Sequence, residues 1–379
     1  MDFGWSEEEL GFRAELRRFL RTELDGRWEG PVRQLGSAEN VRYSRDFTAR
    51  LAERGWLIPH WPAEHGGGGS SPWKHMITGE ELWSIGEPRG PQYMNVNWIG
   101  PSIMAHGTEA QRREHLPRIA RGEVIWCQGF SEPEAGSDLV ALRTRAVRDG
   151  DDYLVTGSKV WTSYASVADY CYLLVRTDPA APRHQGISVL LVPTDTPGFE
   201  IRSIDAVIGD HAFHELNFAE MRVAASCRLG PENEGWNVVR EALAFERVGA
   251  PRYARASRVL DDLVDWAERD ERPLTAAVRE RIATARAACE AARLLAYRVV
   301  DERAQGLPPS ANVYIARAAM VRAERAVGEV GLEIMGAEGL VDGSLADEQL
   351  RKAMVAGIAA GTYEMQLNLV ARALELPRG

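Results

Sequence analysis

The chain has little cysteine: four residues among 379, at Cys127, Cys171, Cys227 and Cys289, with no C-x-x-C pair. That spacing excludes a disulfide framework and the paired knuckles of a structural zinc site, and it points to a reduced, metal-free, intracellular protein. Positive charge is scarce as well, with 45 Lys and Arg against 55 Asp and Glu. A formal net charge of −10 leaves no overall basic face for a phosphate backbone, so nucleic acid is not an expected partner. Local arginine clusters could still hold a phosphorylated small molecule. There is no apolar run of about 18 residues, hence no transmembrane helix in the reading. The first residues are acidic rather than a basic–apolar leader, so the expected location is cytoplasmic. No G-x-G-x-x-G follows a strand-like segment, which leaves a Rossmann dinucleotide fold without support.

What is present reads as an ordinary globular chain, long enough for two or three domains. Phe12, Leu16, Phe19, Leu20 and Leu24 recur at helical spacing and predict an amphipathic helix over Glu7 to Leu24. The run from Ala63 to Pro72 holds four successive glycines and reads as a flexible link without chemistry. The middle third changes period. Tyr153–Gly157, Tyr170–Val175, Ile187–Pro193 and His214–Phe218 are short, rich in β-branched or aromatic residues, and bounded by Gly, Pro and Asp. From Gly235 the helical pattern returns, with strong helix formers over Ala276 to Val300, a break at Leu307-Pro308-Pro309-Ser310, and a further helix over Ala311 to Met335. The expected class is therefore α+β, with a β-domain between two helical regions.

Two segments carry the chemistry. The first is Phe130-Ser131-Glu132-Pro133-Glu134-Ala135-Gly136-Ser137-Asp138. Pro133 fixes φ, Gly136 is expected to permit a turn that other residues resist, and Ser131, Ser137 and nearby amides are free to face a polar ligand. The second is Gly157-Ser158-Lys159-Val160-Trp161-Thr162-Ser163-Tyr164. Each alone is compatible with a surface turn or a strand end.

Together, F-S-E-P-x-A-G-S-D and G-x-K-x-W-T-S resemble the flavin-face signature of the acyl-CoA dehydrogenase family. The resemblance extends to His106–Glu123, Glu232–Arg247 and the closing segment Gly361–Leu374, in the family's order. It implies an N-terminal helical domain (1–122), a barrel-like middle β-domain (123–232) and a C-terminal four-helix bundle (233–379). It implies FAD as cofactor, an acyl-CoA or carrier-bound acyl substrate, and an electron-transfer flavoprotein as acceptor. By the same resemblance Gln128, Phe130 and Ser131 lie along the pyrimidine edge of the flavin. Trp161 forms the wall behind the ring, since an indole face stacks on a flat heterocycle. Ser163 donates near N5 or O4, Thr362 touches the flavin chain, and Ser137, Arg247 and Gly361 contact the substrate. Thr362 also suits the N-cap of the last helix. Tyr93, Met94 and Trp98 are candidates for the acyl pocket, though aromatic residues in a helical region more often serve the core.

The sequence departs from the best-known members twice. Their base stands in an E-G-T triplet, and here that triplet reads Ala360-Gly361-Thr362. A carboxylate is needed to take the weakly acidic α-proton of a thioester. A minority branch carries it on a helix before a family arginine, which places the expected base at Glu246, ahead of Arg247. The second departure concerns the segments a neighbouring subunit lends to the far end of FAD. Ala267–Ala283 lacks the usual F-G and Gln, and Glu333 stands where a glutamine is usual, so an anion would face the pyrophosphate. The oligomer is thus either a homotetramer or an α2β2 heterotetramer with a related subunit. A flavin monooxygenase or oxidase of the same fold, and a non-catalytic subunit, remain open alternatives. A base carried on the helix also suggests a branched, cyclic or steroid-like acyl group.

Overall fold

The computed structural model describes residues 5–24, 28, 37–209 and 212–376. In chain order the helices before the sheet are α1 (Glu7–Glu23), α2 (Ala38–Glu53), α3 (Pro72–Ser84), α4 (Gln92–Met94), α5 (Gly100–His106) and α6 (Glu109–Ala120). The strands are β1 (Trp126–Gly129), β2 (Arg145–Asp149), β3 (Asp152–Ser163), β4 (Tyr170–Arg176), β5 (Ile187–Pro193), β6 (Phe199–Ile204), β7 (Phe213–Ala224) and β8 (Arg228–Leu229). Six helices follow: α7 (Gly235–Gly249), α8 (Arg252–Arg269), α9 (Ala276–Ala304), α10 (Asn312–Met335), α11 (Leu345–Ala356) and α12 (Tyr363–Ala373). This is the expected helical–sheet–helical order. The chain forms two compact units, one of residues 34–68 and 89–246, the other of 1–33, 69–88 and 247–379.

In the first unit the eight strands make one mixed sheet of order β6-β7-β3-β2-β4-β5-β8, with β1 parallel to β4. The barrel-like middle domain is realised as this sheet, whose end strands β6 and β8 do not pair with each other among the described residues. One face buries Val155, Leu173, Val175, Val192, Leu216 and Phe218. Sequence reading found β4 and β5 closely because both are buried on two sides. It missed β2, whose pattern is mostly exposed, and saw only parts of the long β3 and β7.

Between α4 and α5 the helix widens into a π turn, Asn95–Ile99, closed by the Gly100 amide on the Asn95 carbonyl. Its irregularity is met by side chains. Trp61 Nε1 donates to the Val96 carbonyl (3.2 Å), while Asn95 bonds the Val124 carbonyl (2.7 Å) and the Trp126 amide (3.2 Å), stitching the start of β1 to the helix. A Cβ on Gly100 would lie 2.2 Å from the Trp61 ring. Within the four-glycine run, two positions answer to local geometry. Gly66 closes a short 3-10 turn at φ 85°, and a Cβ on Gly67 would fall 2.1 Å from the Trp61 carbonyl oxygen.

In the second unit α8, α9, α10 and α11 form the four-helix bundle, with α10 against each of the other three. Leu263, Ala292, Val327 and Val330 fill its core. Gly331 lets α10 approach, since a Cβ there would be 3.1 Å from the Leu263 side chain. Helix α9 runs four residues past the expected Val300 and stops where Gly306 takes φ 70° ahead of the two prolines. Helix α1 opens with a capping box of Ser6 and Glu9 and buries Phe12, Leu16, Phe19 and Leu20 as its spacing predicts. Buried Glu80 on α3 accepts from Tyr253 Oη (2.7 Å), Tyr297 Oη (2.8 Å) and Arg13 Nη2 (2.6 Å), a charged hub that joins α1, α3, α8 and α9.

Candidate active site

The F-S-E-P segment leaves the end of β1 and is pinned to β3. The Val160 amide donates to the Ser131 carbonyl (2.8 Å), and Lys159 Nζ donates to the Phe130 carbonyl (3.0 Å) and to Glu132 Oε1 (2.8 Å). Glu132 also accepts from the amides of Arg143 (2.6 Å) and Thr144 (2.8 Å). Burial pushes the Glu132 carboxyl up, but the Lys159 charge and the bonds from Lys159, Thr144 and Arg143 outweigh it and hold it below the usual range. Burial dominates at Lys159 and brings its ammonium down to about 8, against the opposing pull of Glu132, so the pair is ionised near neutrality. The turn does not depend on Gly136 as expected: its φ is not positive, and a Cβ there would meet nothing within 4 Å. Gly157 is the demanding position, with φ 148° and a Cβ that would lie 2.7 Å from Thr144 Cα.

Beyond Lys159, β3 bulges. Lys159 pairs with Leu216 and Thr162 with His214, so three steps on β3 oppose two on β7. A bulge re-aims the side chain at its crest. Here it takes Trp161 to φ 61° and turns the indole outward, 57% exposed, with Phe213 edge-on at 6.0 Å. Tyr164 also has φ 59°. Two left-handed aromatic residues bracketing Ser163 are the kind of local strain that collects at functional sites. An exposed indole held in this way is not a core tryptophan.

Gln128, Phe130, Ser131, Trp161 and Ser163 are therefore brought together on β1, its loop and β3, all half-buried except the exposed Trp161. The side chains of Gln128, Ser131 and Ser163 and the indole nitrogen of Trp161 have no hydrogen-bond partner among the described residues. Thr162 Oγ1 is buried without one. A flat aromatic face beside several uncommitted donors and acceptors fits the edge and face of an isoalloxazine. Phe130 packs tilted on Tyr172 at 5.8 Å, and the buried Tyr172 hydroxyl bonds Ser102 Oγ (2.8 Å). Ser137 is exposed at the far end of the loop, where neighbouring Asp138 pairs with Arg183.

Glu246 is half-buried near the C-terminal end of α7 and closes the first unit. Arg247 belongs to the second, with its guanidinium 5.2 Å from the Tyr314 ring centroid. In that unit Ala360 and Gly361 both have positive φ, 58° and 86°. Their turn is held by Arg317, which donates to the carbonyls of Ala356 (2.6 Å) and Ala359 (3.0 Å). Gln366 donates to those of Ala360 (3.0 Å) and Gly361 (3.1 Å). Thr362 is the N-cap of α12 and accepts from the Met365 amide (3.2 Å), which leaves its hydroxyl hydrogen to donate. Met94 and Trp98 are buried, Trp98 edge-on to Tyr93 at 5.5 Å.

Sequence reasoning passed over Lys159, Glu132, Arg317 and Gln366. One signal was available for the first: in β3 the inward parity Tyr153, Val155, Gly157 leads to Lys159, and a lysine on a buried face needs a buried acid. The charges around the second departure are internally paired. Arg281 meets Glu333 (2.5 Å) and Glu329 (3.4 Å), while Arg272 pairs with Glu338 and stacks on Trp266 at 4.4 Å. No group of three or more His, Cys, Asp or Glu among the described residues could hold a metal, and no described helix is long and apolar enough to cross a membrane.

Comparison with known proteins agrees with this fold. The sequence matches the acyl-CoA dehydrogenase N-terminal domain over residues 6–123, the middle domain over 127–221 and the C-terminal domain over 233–375. It is 35% identical to acyl-CoA dehydrogenase IpdE1 of Mycobacterium tuberculosis over 97% of both chains. Its fold superposes on the Tcur3481-Tcur3483 steroid ACAD with a TM-score of 0.91, at 32% identity over 100% of both chains. It superposes on the ChsE4-ChsE5 complex from Mycobacterium tuberculosis with a TM-score of 0.85, at 31% identity over 100% of both chains. The three matched domains and the shared fold define a flavin-dependent oxidoreductase. The chain belongs to the acyl-CoA dehydrogenase family.

Proposed function

We propose that this chain binds FAD and α,β-dehydrogenates a bulky acyl-CoA, steroid-derived in kind, with Glu246 as the base. The observation that carries the reading is the outward indole of Trp161 on its bulge, beside the uncommitted side chains of Gln128, Ser131 and Ser163. A flavin held by these residues would supply the acceptor for the β-hydrogen as hydride and the route for its electrons to an electron-transfer flavoprotein.

The protein's part is binding, orientation and one proton. Trp161 backs the ring, Phe130 and Ser131 with Gln128 hold its edge, and Ser163 supplies a donor. The Glu246 carboxylate takes the α-proton and becomes a carboxylic acid. The C–H electron pair left behind forms the new double bond as the β C–H pair departs. Ala360 has no group to accept a proton, so Glu246 is assigned the role on the sequence match around Arg247. On the sequence resemblance alone, Ser137, Arg247 and Gly361 are assigned to the thioester and Thr362 to the flavin chain.

Two solved relatives, the Tcur3481-Tcur3483 steroid ACAD and the ChsE4-ChsE5 complex, support a bulky substrate and a heteromeric assembly. The closed pairs Arg281–Glu333 and Arg272–Glu338 support the second point, since they leave those arginines engaged and an anion at the usual glutamine position. Glu246→Gln is expected to lower kcat by about 10²–10⁴-fold, the usual worth of a general base, while the yellow colour persists. Undiminished turnover of a steroid-type acyl-CoA with a dye acceptor would remove Glu246 from the mechanism. A full flavin per subunit on the chain purified alone would remove the heteromer.

A further inference from the structure

We propose that Lys159 and Glu132 form a buried charged clasp whose task is to position the flavin, by fixing the Phe130–Ser131 edge against the strand that carries Trp161 and Ser163. The inference rests on the flavin reading above. Lys159 is 0% exposed and its Nζ has two ligands, the Phe130 carbonyl and Glu132. Glu132 passes the restraint on through the amides of Arg143 and Thr144, and Thr144 Oγ1 returns it to β3 at the Ser158 carbonyl (3.2 Å). The segment itself is pinched by reciprocal bonds between Glu132 and Ala135 (3.0 and 3.1 Å). The result is a closed circuit from β1, through the loop, to β3.

Stability alone does not account for this pair. A buried ion pair loses much of its attraction to desolvation, and apolar residues of similar size often hold a fold as well or better. A methionine and a leucine, however, could not grip the Phe130 carbonyl or the two amides. What the charges add is direction. Lys159 stands two residues before Trp161, immediately ahead of the bulge, so the same side chain sets where the indole leaves the strand and where the opposing edge of the loop lies. Neither residue needs to touch the flavin. They act through Phe130, Ser131 and Trp161.

The test uses the flavoprotein purified with whatever partner it requires, as wild type, Lys159→Met, Glu132→Gln and the double variant Lys159→Met/Glu132→Leu. Circular dichroism and melting report the fold. The 450 nm flavin band and the FAD dissociation constant report positioning. The double variant leaves no charge buried alone but frees the Phe130 carbonyl and the two amides, so it is expected to fold and to melt below wild type yet above either single variant, and to bind FAD at least tenfold more weakly with a shifted flavin band. Both single variants are expected to lose FAD affinity; if one fails to fold, the double variant still decides. Wild-type affinity and spectrum in the double variant overturn the proposal, as does a loss of FAD in the single variants that the double variant fully restores along with its melting temperature. A wild-type protein that takes up no FAD overturns the flavin reading itself, a result separable from either of these.

Discussion

Two glycines beside the site separate what its architecture needs from what its sequence suggests. Gly157 sits in β3 at φ 148°, a region L-residues scarcely enter, and a Cβ there would lie 2.7 Å from both Thr144 Cα and Thr144 Oγ1. Gly157→Ala therefore carries backbone strain of about 1–3 kcal/mol and overpacking of about 1–3 kcal/mol. The sum, about 2–6 kcal/mol, corresponds to a fall in melting temperature of roughly 4–24 °C at about 2–4 °C per kcal/mol for units of this size. Thr144 must move to admit the methyl, and its amide is one of the two that hold Glu132. FAD affinity should then fall along with stability. Gly136→Ala, in the middle of the conspicuous loop, meets no atom within 4 Å and no positive φ. It should leave the melting temperature unchanged or raise it, since alanine at a permissive site stabilises by about 0.4–1 kcal/mol. Melting by circular dichroism and FAD titration on both variants give the answer. A Gly157→Ala protein melting within about 2 °C of wild type, or a Gly136→Ala protein as damaged as Gly157→Ala, would refute the reasoning.

Three further outcomes are expected. Trp161→Ala should leave melting nearly unchanged, because the indole is outward, while FAD binds roughly 5- to 150-fold more weakly, from about 1–3 kcal/mol of lost stacking; unaltered FAD titration would take Trp161 out of the site. Glu80→Ala strands two tyrosine hydroxyls and Arg13, and should cost about 3–5 kcal/mol in urea unfolding; a cost under about 1 kcal/mol would show the hub to be incidental. Lys159 faces Glu132 from the loop and Cys171 and Arg176 from β4, and burial holds its folded value at about 8, below its unfolded one. The unfolded chain thus binds more protons at this residue above about pH 8, so its contribution to stability rises with pH there. The ion pair fades over the same range, and FAD should be lost. The difference between wild type and Lys159→Met, measured across that range, isolates both slopes; parallel slopes in stability and FAD affinity would contradict the assignment.

Much of the architecture was legible because burial and period agree. Helix α1 follows its apolar spacing, and β4 and β5 stand out because both of their faces are buried. What was not legible depends on partners distant in sequence. Strand β2 is recognisable only through its pairing with β3, and the need for glycine at Gly67 comes from Trp61 lying against it. At the candidate site, the residue types Trp161, Ser131 and Ser163 were readable from their motifs. The bulge that turns the indole outward was not, because it arises from a mismatch of register between β3 and β7. Gly136 drew attention as a turn residue while the conformational demand fell on Gly157, whose constraint comes from Thr144 across the sheet.

The π turn at Asn95–Ile99 gives its helix one residue more than a regular ladder would use. Each residue of an α-helix advances the azimuth by about 100°. The extra residue therefore acts as a fixed angular offset, a quarter-turn of phase built into the rod. Everything from Gly100 onward faces where it does because of that offset, including Ser102 towards Tyr172. Excising any one of the five residues would remove that offset and misaim the following segment, while Pro101, which has no amide hydrogen, would still interrupt a regular ladder. In this helix regularity would be the defect.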